Sequence, residues 1–201
     1  MRPILPAILA MAATVLASNI LVQFRLGDWL TWGALTYPVA FLVTDITNRI
    51  HGLAAARRVV VAGFVIGVIC SLVAATGGGT TLRITVASGA AFLLAQLLDV
   101  WLFDRLRHRD WWQAPFLSSV VGAVLDTVLF FTIAFAVFLP ADANTGWSNE
   151  AVPLLGAGPL APLWVSLGIA DWMCKMTLAV LALVPFRVLV RKILSAPVRG
   201  Y

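Results

Sequence analysis

Charge is what this chain has least of. Asp, Glu, Lys and Arg make up 11% of its 201 residues, against 61% hydrophobic residues. Soluble domains carry about 25% charged residues, so an ordinary water-facing surface is excluded and a bilayer must be the solvent. Crossing the hydrocarbon takes roughly 20 apolar residues, which leaves room for about six crossings and none for a soluble catalytic domain. Cysteine is scarce too. Cys70 and Cys174 stand in apolar runs without a C-x-x-C partner, as small buried residues rather than redox or metal groups.

Other absences remove whole function classes. No Gly-Lys-Ser/Thr follows Gly77, Gly78 and Gly79, so this turn is no phosphate cradle and no internal ATP site is expected. H-E-x-x-H is missing, Ser88-Gly89 lacks the G-x-S-G arrangement, and His51 and His108 lie at segment ends far from that serine. An intramembrane protease therefore lacks its base or its ligands. Neither enzyme activity nor a cofactor or metal is expected. The net charge of +5 comes from bases at segment ends, with no basic stripe interleaved with aromatics, which excludes nucleic acid as a partner and points to membrane topology.

What is present is a succession of apolar segments at about 4–24, 30–50, 59–76, 82–103, 115–139 and 162–186, read as one transmembrane domain over residues 1–201. Arg2 with the run Ile4 to Leu16 and Ala17 resembles a signal peptide, but the run continues to Phe24, long enough to span. With the N-terminus in the cytoplasm, Arg2, Arg57, Arg58, Arg105, Arg107, Arg109, Arg187, Arg191, Lys192 and Arg199 all lie inside, and only Arg25 and Arg83 outside. The expectation is an all-α integral membrane protein with six transmembrane helices and both termini cytoplasmic. Pro38 is expected to kink the second helix, and Trp111 and Trp112 to sit at the interface.

The first helix carries a small-residue face, Ala10, Ala13, Thr14 and Ala17. It suits packing inside the bundle or a docking seam for a second protein or a second copy. Gly63 and Gly67 give the third helix a G-x-x-x-G spacing, which favours close helix contact. The segment from Pro140 to Ala161, with Asp142 and Glu150 and no base, is the longest loop and could form an outer lid.

Polar residues inside these segments are the functional signal. Asp45 with Asn48 and Arg49, Gln96 with Asp99, Asp126, and Asp171 with Lys175 all stand in apolar runs. Residues three or four apart share a helix face, so Asp45 and Arg49, Gln96 and Asp99, and Asp171 and Lys175 should each project as a unit. Each central charge costs about 2.5 to 3.5 kcal/mol on insertion scales, so five independent ones would cost about 12 to 17 kcal/mol. That rivals a whole domain's stability of about 5 to 15 kcal/mol. A shared wet pocket is the default reading, and internal ion pairs that merely fasten helices are its competitor. Four carboxylates against Arg49 and Lys175 suit a donor-rich or cationic solute or protons. Trp101, Phe130, Phe131 and Trp172 stand near enough in sequence to stack on a flat ring.

The stretches PVAFLVTDITNRIHG with AAARRVV, QLLDVWLFDRLR and SSVVGAVLDTVLFF resemble the bacterial queuosine precursor transporter family. That family belongs to the vitamin uptake transporters, which resemble substrate-binding components of energy-coupling factor systems. The likeness covers roughly residues 15 to 185. It implies a multi-pass importer of 7-cyano-7-deazaguanine and 7-aminomethyl-7-deazaguanine in the bacterial inner membrane. It also implies binding roles for Asp45, Asn48, Arg49, Gln96, Asp99 and Asp126; Asp171, Lys175 and Trp172 join the candidate site on position and cost. The alternative is a substrate-binding subunit that needs an energy-coupling partner.

Overall fold

The computed structural model describes residues 4–22, 24–139 and 145–195. Arg2, Pro140, Asp142 and Arg199, used in the sequence reading, lie outside them. Six α-helices are described: α1 (Leu5–Leu21), α2 (Tyr37–His51), α3 (Leu53–Thr76), α4 (Leu82–Leu106), α5 (Gln113–Phe135) and α6 (Leu163–Ser195). Of these, α3, α4, α5 and α6 are long and apolar enough to cross a membrane, and α1 is a shorter apolar helix of 17 residues. The protein is an all-α membrane protein of several apolar helices.

Its packing follows from where the polar residues are. α2 is the most polar helix and touches α1, α3, α4, α5 and α6. The other five succeed one another around it in the order α1, α3, α4, α5, α6, and the 3-10 turn Trp32–Leu35 bridges α1 and α6. In lipid the hydrophobic side chains have no reason to avoid the outside. Leu9, Ile69, Val73, Leu94, Val128 and Leu181 are accordingly exposed, while Thr44, Asp45, Thr47, Asn48, Gln96 and Asp99 are buried. The buried apolar positions are largely alanine, which lets the helices approach closely.

Gly63 and Gly67 make close contact as their spacing suggests: a Cβ on Gly63 would lie 2.6 Å from Met11, and one on Gly67 3.2 Å from Val15. The face of α1 that packs is thus Met11 and Val15. Ala10 and Ala13 are exposed and Thr14 and Ala17 half-buried, so the small-residue face packs within the bundle only in part.

Several boundaries differ from the sequence reading. Residues Arg25–Leu26 (β1) and Leu30–Thr31 (β2) pair as a small antiparallel hairpin turning at Gly27, and α2 starts only at Tyr37. Pro38 therefore lies in the first turn, where its missing N–H costs nothing, and starts the helix instead of kinking it. Gly52, at φ 83°, turns the chain directly from α2 into α3, a conformation that favours glycine. Arg57 and Arg58 consequently stand on the first turns of α3 and not in a loop, in line with the helix propensity of Ala54 to Ala56. α5 stops at Phe135 rather than at Leu139. α6 runs on past Phe186 to Ser195, held by Val190 packing with Phe103, Ala114 and Phe186.

Beyond α5, the described part of the long loop is a 3-10 turn, Gly146–Asn149, followed by a second hairpin of β3 (Ala151–Pro153) and β4 (Leu160–Pro162). It is tied to the bundle by Trp147 against Phe135, with ring centroids 6.0 Å apart, and by the Leu155 N–H donating to Ser166 Oγ at 3.1 Å.

The end of α5 has its own clamp. Arg83, on the first turn of α4, donates to the carbonyls of Ile133 and Ala136 at 2.7 Å each, satisfying groups that a helix C-terminus leaves unpaired. Hydrogen bonds from charged donors contribute about 1.5–3 kcal/mol each. Arg83→Met should therefore lower the thermal midpoint of the detergent-solubilised protein by about 5 °C or more. Arg57→Met, at an exposed position, should leave it unchanged.

Candidate functional site

The site begins with the register of α2. Tyr37, Phe41, Asp45 and Asn48 recur at helical spacing and face the bundle interior. Two bonds lock this face to α4. The Thr44 hydroxyl donates to Gln96 Oε1 at 3.1 Å, and Asn48 Nδ2 donates to the Val100 carbonyl at 2.8 Å. These contacts fix how the two helices meet and place the carboxyl groups of Asp45 and Asp99 beside each other. α5 comes close because of Gly122, where a Cβ would lie 2.8 Å from Phe41 and 3.3 Å from the Ala95 carbonyl. That approach sets Ser118 next to Asp99.

The result is a polar cluster whose hydrogen-bonding capacity is largely unused. Asp45 Oδ1, Asn48 Oδ1, both carboxylate oxygens of Asp99, Gln96 Nε2 and Ser118 Oγ are buried and make no well-aligned hydrogen bond among the described residues, although Asp45 and Ser118 lie beside Asp99. Buried polar groups are paired as a rule, because an unpaired one costs about 1–3 kcal/mol. A concentration of them between α2, α4 and α5 is therefore a departure that calls for a ligand or water. The set mixes acceptors from the carboxylates and Asn48 with a donor from Gln96, and Ser118 serves as either.

A second polar group lies beside the first, between α5 and α6, and it is saturated. Lys175 Nζ donates to Asp126 Oδ2 at 2.7 Å, to Thr127 Oγ1 at 3.2 Å and to Asp171 Oδ2, while Thr127 donates to Asp171 Oδ2 at 2.8 Å. Lys175 also sits 4.2 Å from the centroid of the Tyr37 ring, within cation–π range. The Tyr37 hydroxyl is buried without a hydrogen-bond partner among the described residues. Its ring thus joins the two groups.

A small cavity separates them, lined by Tyr37, Phe41, Asp45, Ser119, Lys175 and Phe186 among others. Its volume of about 20 Å³ holds a single water.

Of the residues singled out in the sequence, Asp45 and Lys175 line this cavity. Asn48, Gln96 and Asp99 lie behind Asp45, and Asp126 and Asp171 surround Lys175. Arg49 goes elsewhere: its guanidinium donates to the Arg107 carbonyl and lines a different cavity at the end of the bundle. Asp45 and Arg49 therefore do not act as one unit, because helical spacing leaves an arginine long enough to turn toward the helix end. Trp172 and Trp101 are exposed, the latter under Arg105 at 5.2 Å. Phe130 packs edge-on against Phe131 and Phe135, and Phe131 lies tilted against Phe135. Without Arg49, the polar interior counts four carboxylates against Lys175 alone.

Tyr37, Ser118 and Ser119 were not singled out as site residues. Their signal was available, since Tyr37 begins the Asp45 face and Ser119 stands on the Asp126 face of α5 by helical spacing.

Because Lys175 holds the buried Asp126 and the half-buried Asp171, removing it alone would leave both uncompensated. Breaking a buried pair from one side costs about 3–5 kcal/mol. Lys175→Met should lower thermal stability by that order, and Asp171→Asn added to it should recover part of the loss. A Lys175→Met protein as stable as the parent would show that these acids are satisfied by water.

Comparison with known proteins agrees with the site's setting. Residues 31–190 match the family described as "Putative vitamin uptake transporter". The chain is 34% identical over 191 residues to the "Queuosine precursor transporter" of Escherichia coli K12, covering 85% of this chain and 78% of that one. It is 34% identical over 171 residues to the "Probable queuosine precursor transporter" of Haemophilus influenzae, covering 77% of this chain and 66% of the relative. The corresponding Bacillus subtilis protein is 29% identical over 135 residues, covering 56% and 59%. No solved structure shows significant similarity.

Proposed function

The chain belongs to the vitamin uptake transporter family, and from that premise we propose that it imports queuosine precursors across the bacterial inner membrane. The observation that carries the reading is the set of unpaired buried atoms on Asp45, Asn48, Gln96, Asp99 and Ser118. A 7-deazaguanine edge presents N–H donors from its ring and exocyclic amine, which paired carboxylates accept, and a carbonyl that Gln96 Nε2 can donate to. The aminomethyl precursor adds a cation, which four carboxylates against one lysine favour. Asp45, Asn48, Gln96, Asp99 and Asp126 are the binding residues in this reading, with Lys175 and Asp171 holding Asp126 in place. Arg49, turned toward a different cavity, and the exposed Trp172 stand outside this set.

The same reading takes the chain as a single six-span domain with both ends cytoplasmic, α2 being a short central span lengthened by the turn before it. It is a carrier without catalytic chemistry. The cavity between Asp45 and Lys175 is too small for a heterocycle as it stands, so loading requires α2 and α6 to part. Asp99→Asn and Asp126→Asn, each expressed in cells lacking de novo synthesis, should reduce uptake of labelled precursor at least tenfold at equal membrane abundance. Wild-type rates from both variants would remove these acids from the mechanism.

A second reading draws on the outward-facing Ala10 and Ala13 of α1. In it the chain is the substrate-binding subunit of an ATP-driven complex, docked through that face. Purified protein in liposomes separates the two: uptake of precursor without ATP or any other protein supports the autonomous importer, and binding without uptake supports the subunit.

A further inference from the structure

Below the polar interior lies a cavity of about 560 Å³ that the proposed transport site does not use. Its wall includes Arg49, Arg107, Arg187 and Arg191, with Asp110 as the one acidic residue. Phe103, Phe186, Val190 and Leu194 form its apolar side, and Phe186 separates it from the small cavity above.

Arg49 and Arg107 each donate to the other's backbone carbonyl, Arg107 from Nη2 at 3.4 Å. This cross-tie holds two guanidinium groups at one place on the wall. Arg187 lies over the Trp111 ring, 4.4 Å from its centroid, which orients a third without neutralising it. Among the described residues, Arg107 alone of the four has a carboxylate partner, Asp104 at 3.2 Å. Asp110 accepts from Gln113 at 3.1 Å, and no ion pair joins it to the four arginines among the described residues.

Four like charges around one hollow, three of them without a counter-ion among the described residues and two of them tied in position, form a site for a multiply charged oxyanion. Guanidinium groups match phosphate geometry with paired N–H donors. Basic pockets between membrane helices at the cytoplasmic side take anionic lipid headgroups, and an apolar flank leading out to exposed Val188 and Leu194 gives acyl chains a place to lie. The geometry points to a phosphate-binding site in this vestibule, with the headgroup phosphate of an anionic phospholipid or a free phosphate monoester as its ligand.

The test uses the full-length purified protein in micelles doped with phosphatidylglycerol and phosphatidylcholine at equal amounts, with retained lipid counted by native mass spectrometry. Phosphatidylglycerol should be retained in preference to phosphatidylcholine. The exposed pair Arg187→Gln/Arg191→Gln should retain at least tenfold less of it, and Arg57→Gln/Arg58→Gln, a basic pair outside the vestibule, should retain the parental amount. Glycerol 3-phosphate is the free-phosphate probe in a parallel titration. Its binding without lipid retention, lost in the Arg187/Arg191 variant, would assign the site to a soluble phosphate. The proposal is overturned if the Arg187/Arg191 variant binds both probes as the parent does, if the Arg57/Arg58 variant loses as much, or if neither probe binds. A thermal midpoint equal to the parent's confirms that each variant is folded.

Discussion

One helix that lipid cannot solvate dictates the architecture. α2 carries Thr44, Asp45, Thr47, Asn48 and Arg49 within 15 residues, and exposing such a surface to hydrocarbon would cost several kcal/mol per ionised group. The five remaining helices resolve this by enclosing it. Their outward faces are bulky and apolar, and their inward faces are small or polar. The hydrophobic effect does not drive them together, because lipid is as apolar as leucine. Close backbone approach at Gly63, Gly67 and Gly122, and bonds such as Thr44 to Gln96 and Asn48 to the Val100 carbonyl, supply the specificity instead.

The two polar groups inside this enclosure differ in kind, although they are neighbours. Around Lys175 every contact that matters is made within the protein. The arrangement of one ammonium, two carboxylates and a threonine is rigid and self-sufficient, and it joins α5 to α6. Around Asp45 and Asp99 the acidic oxygens face each other and leave their capacity open. A low-dielectric interior magnifies both situations: satisfied networks become stiff there, and unsatisfied ones become costly. Fixed and unfixed halves side by side, bridged by Tyr37, give the interior both an anchor and a reactive surface for recognition.

Much of this was legible in the sequence, and the missing parts share physical causes. Composition and segment length announced the membrane class, and helical spacing correctly put Asp171 with Lys175 on one side of α6. The same spacing misled at Asp45 and Arg49. It fixes the direction of a Cβ, but a guanidinium on a long flexible stem can leave the face its Cα defines. Asp126 has no partner in its own helix, so its bond to Lys175 depended on how α5 meets α6, which no local pattern encodes. Pro38 was expected to kink a longer helix, but the hairpin before it delays the helix to Tyr37, so that Pro38 falls in its first turn. The small residues of α1 were visible, but which side of them would turn inward was set by Met11 and Val15 fitting against glycines more than fifty residues away.

Pro185 stands inside α6, immediately before the phenylalanine that parts the upper and lower cavities. Proline offers no amide hydrogen, so the carbonyl one turn earlier goes without its usual intrahelical bond, and the ring crowds that same turn. The rod is thus weakest at the level of the partition. Deformation of α6 costs least there, so the cationic lower segment can tilt as a lever while the turns bearing Asp171 and Lys175 stay in register with α5.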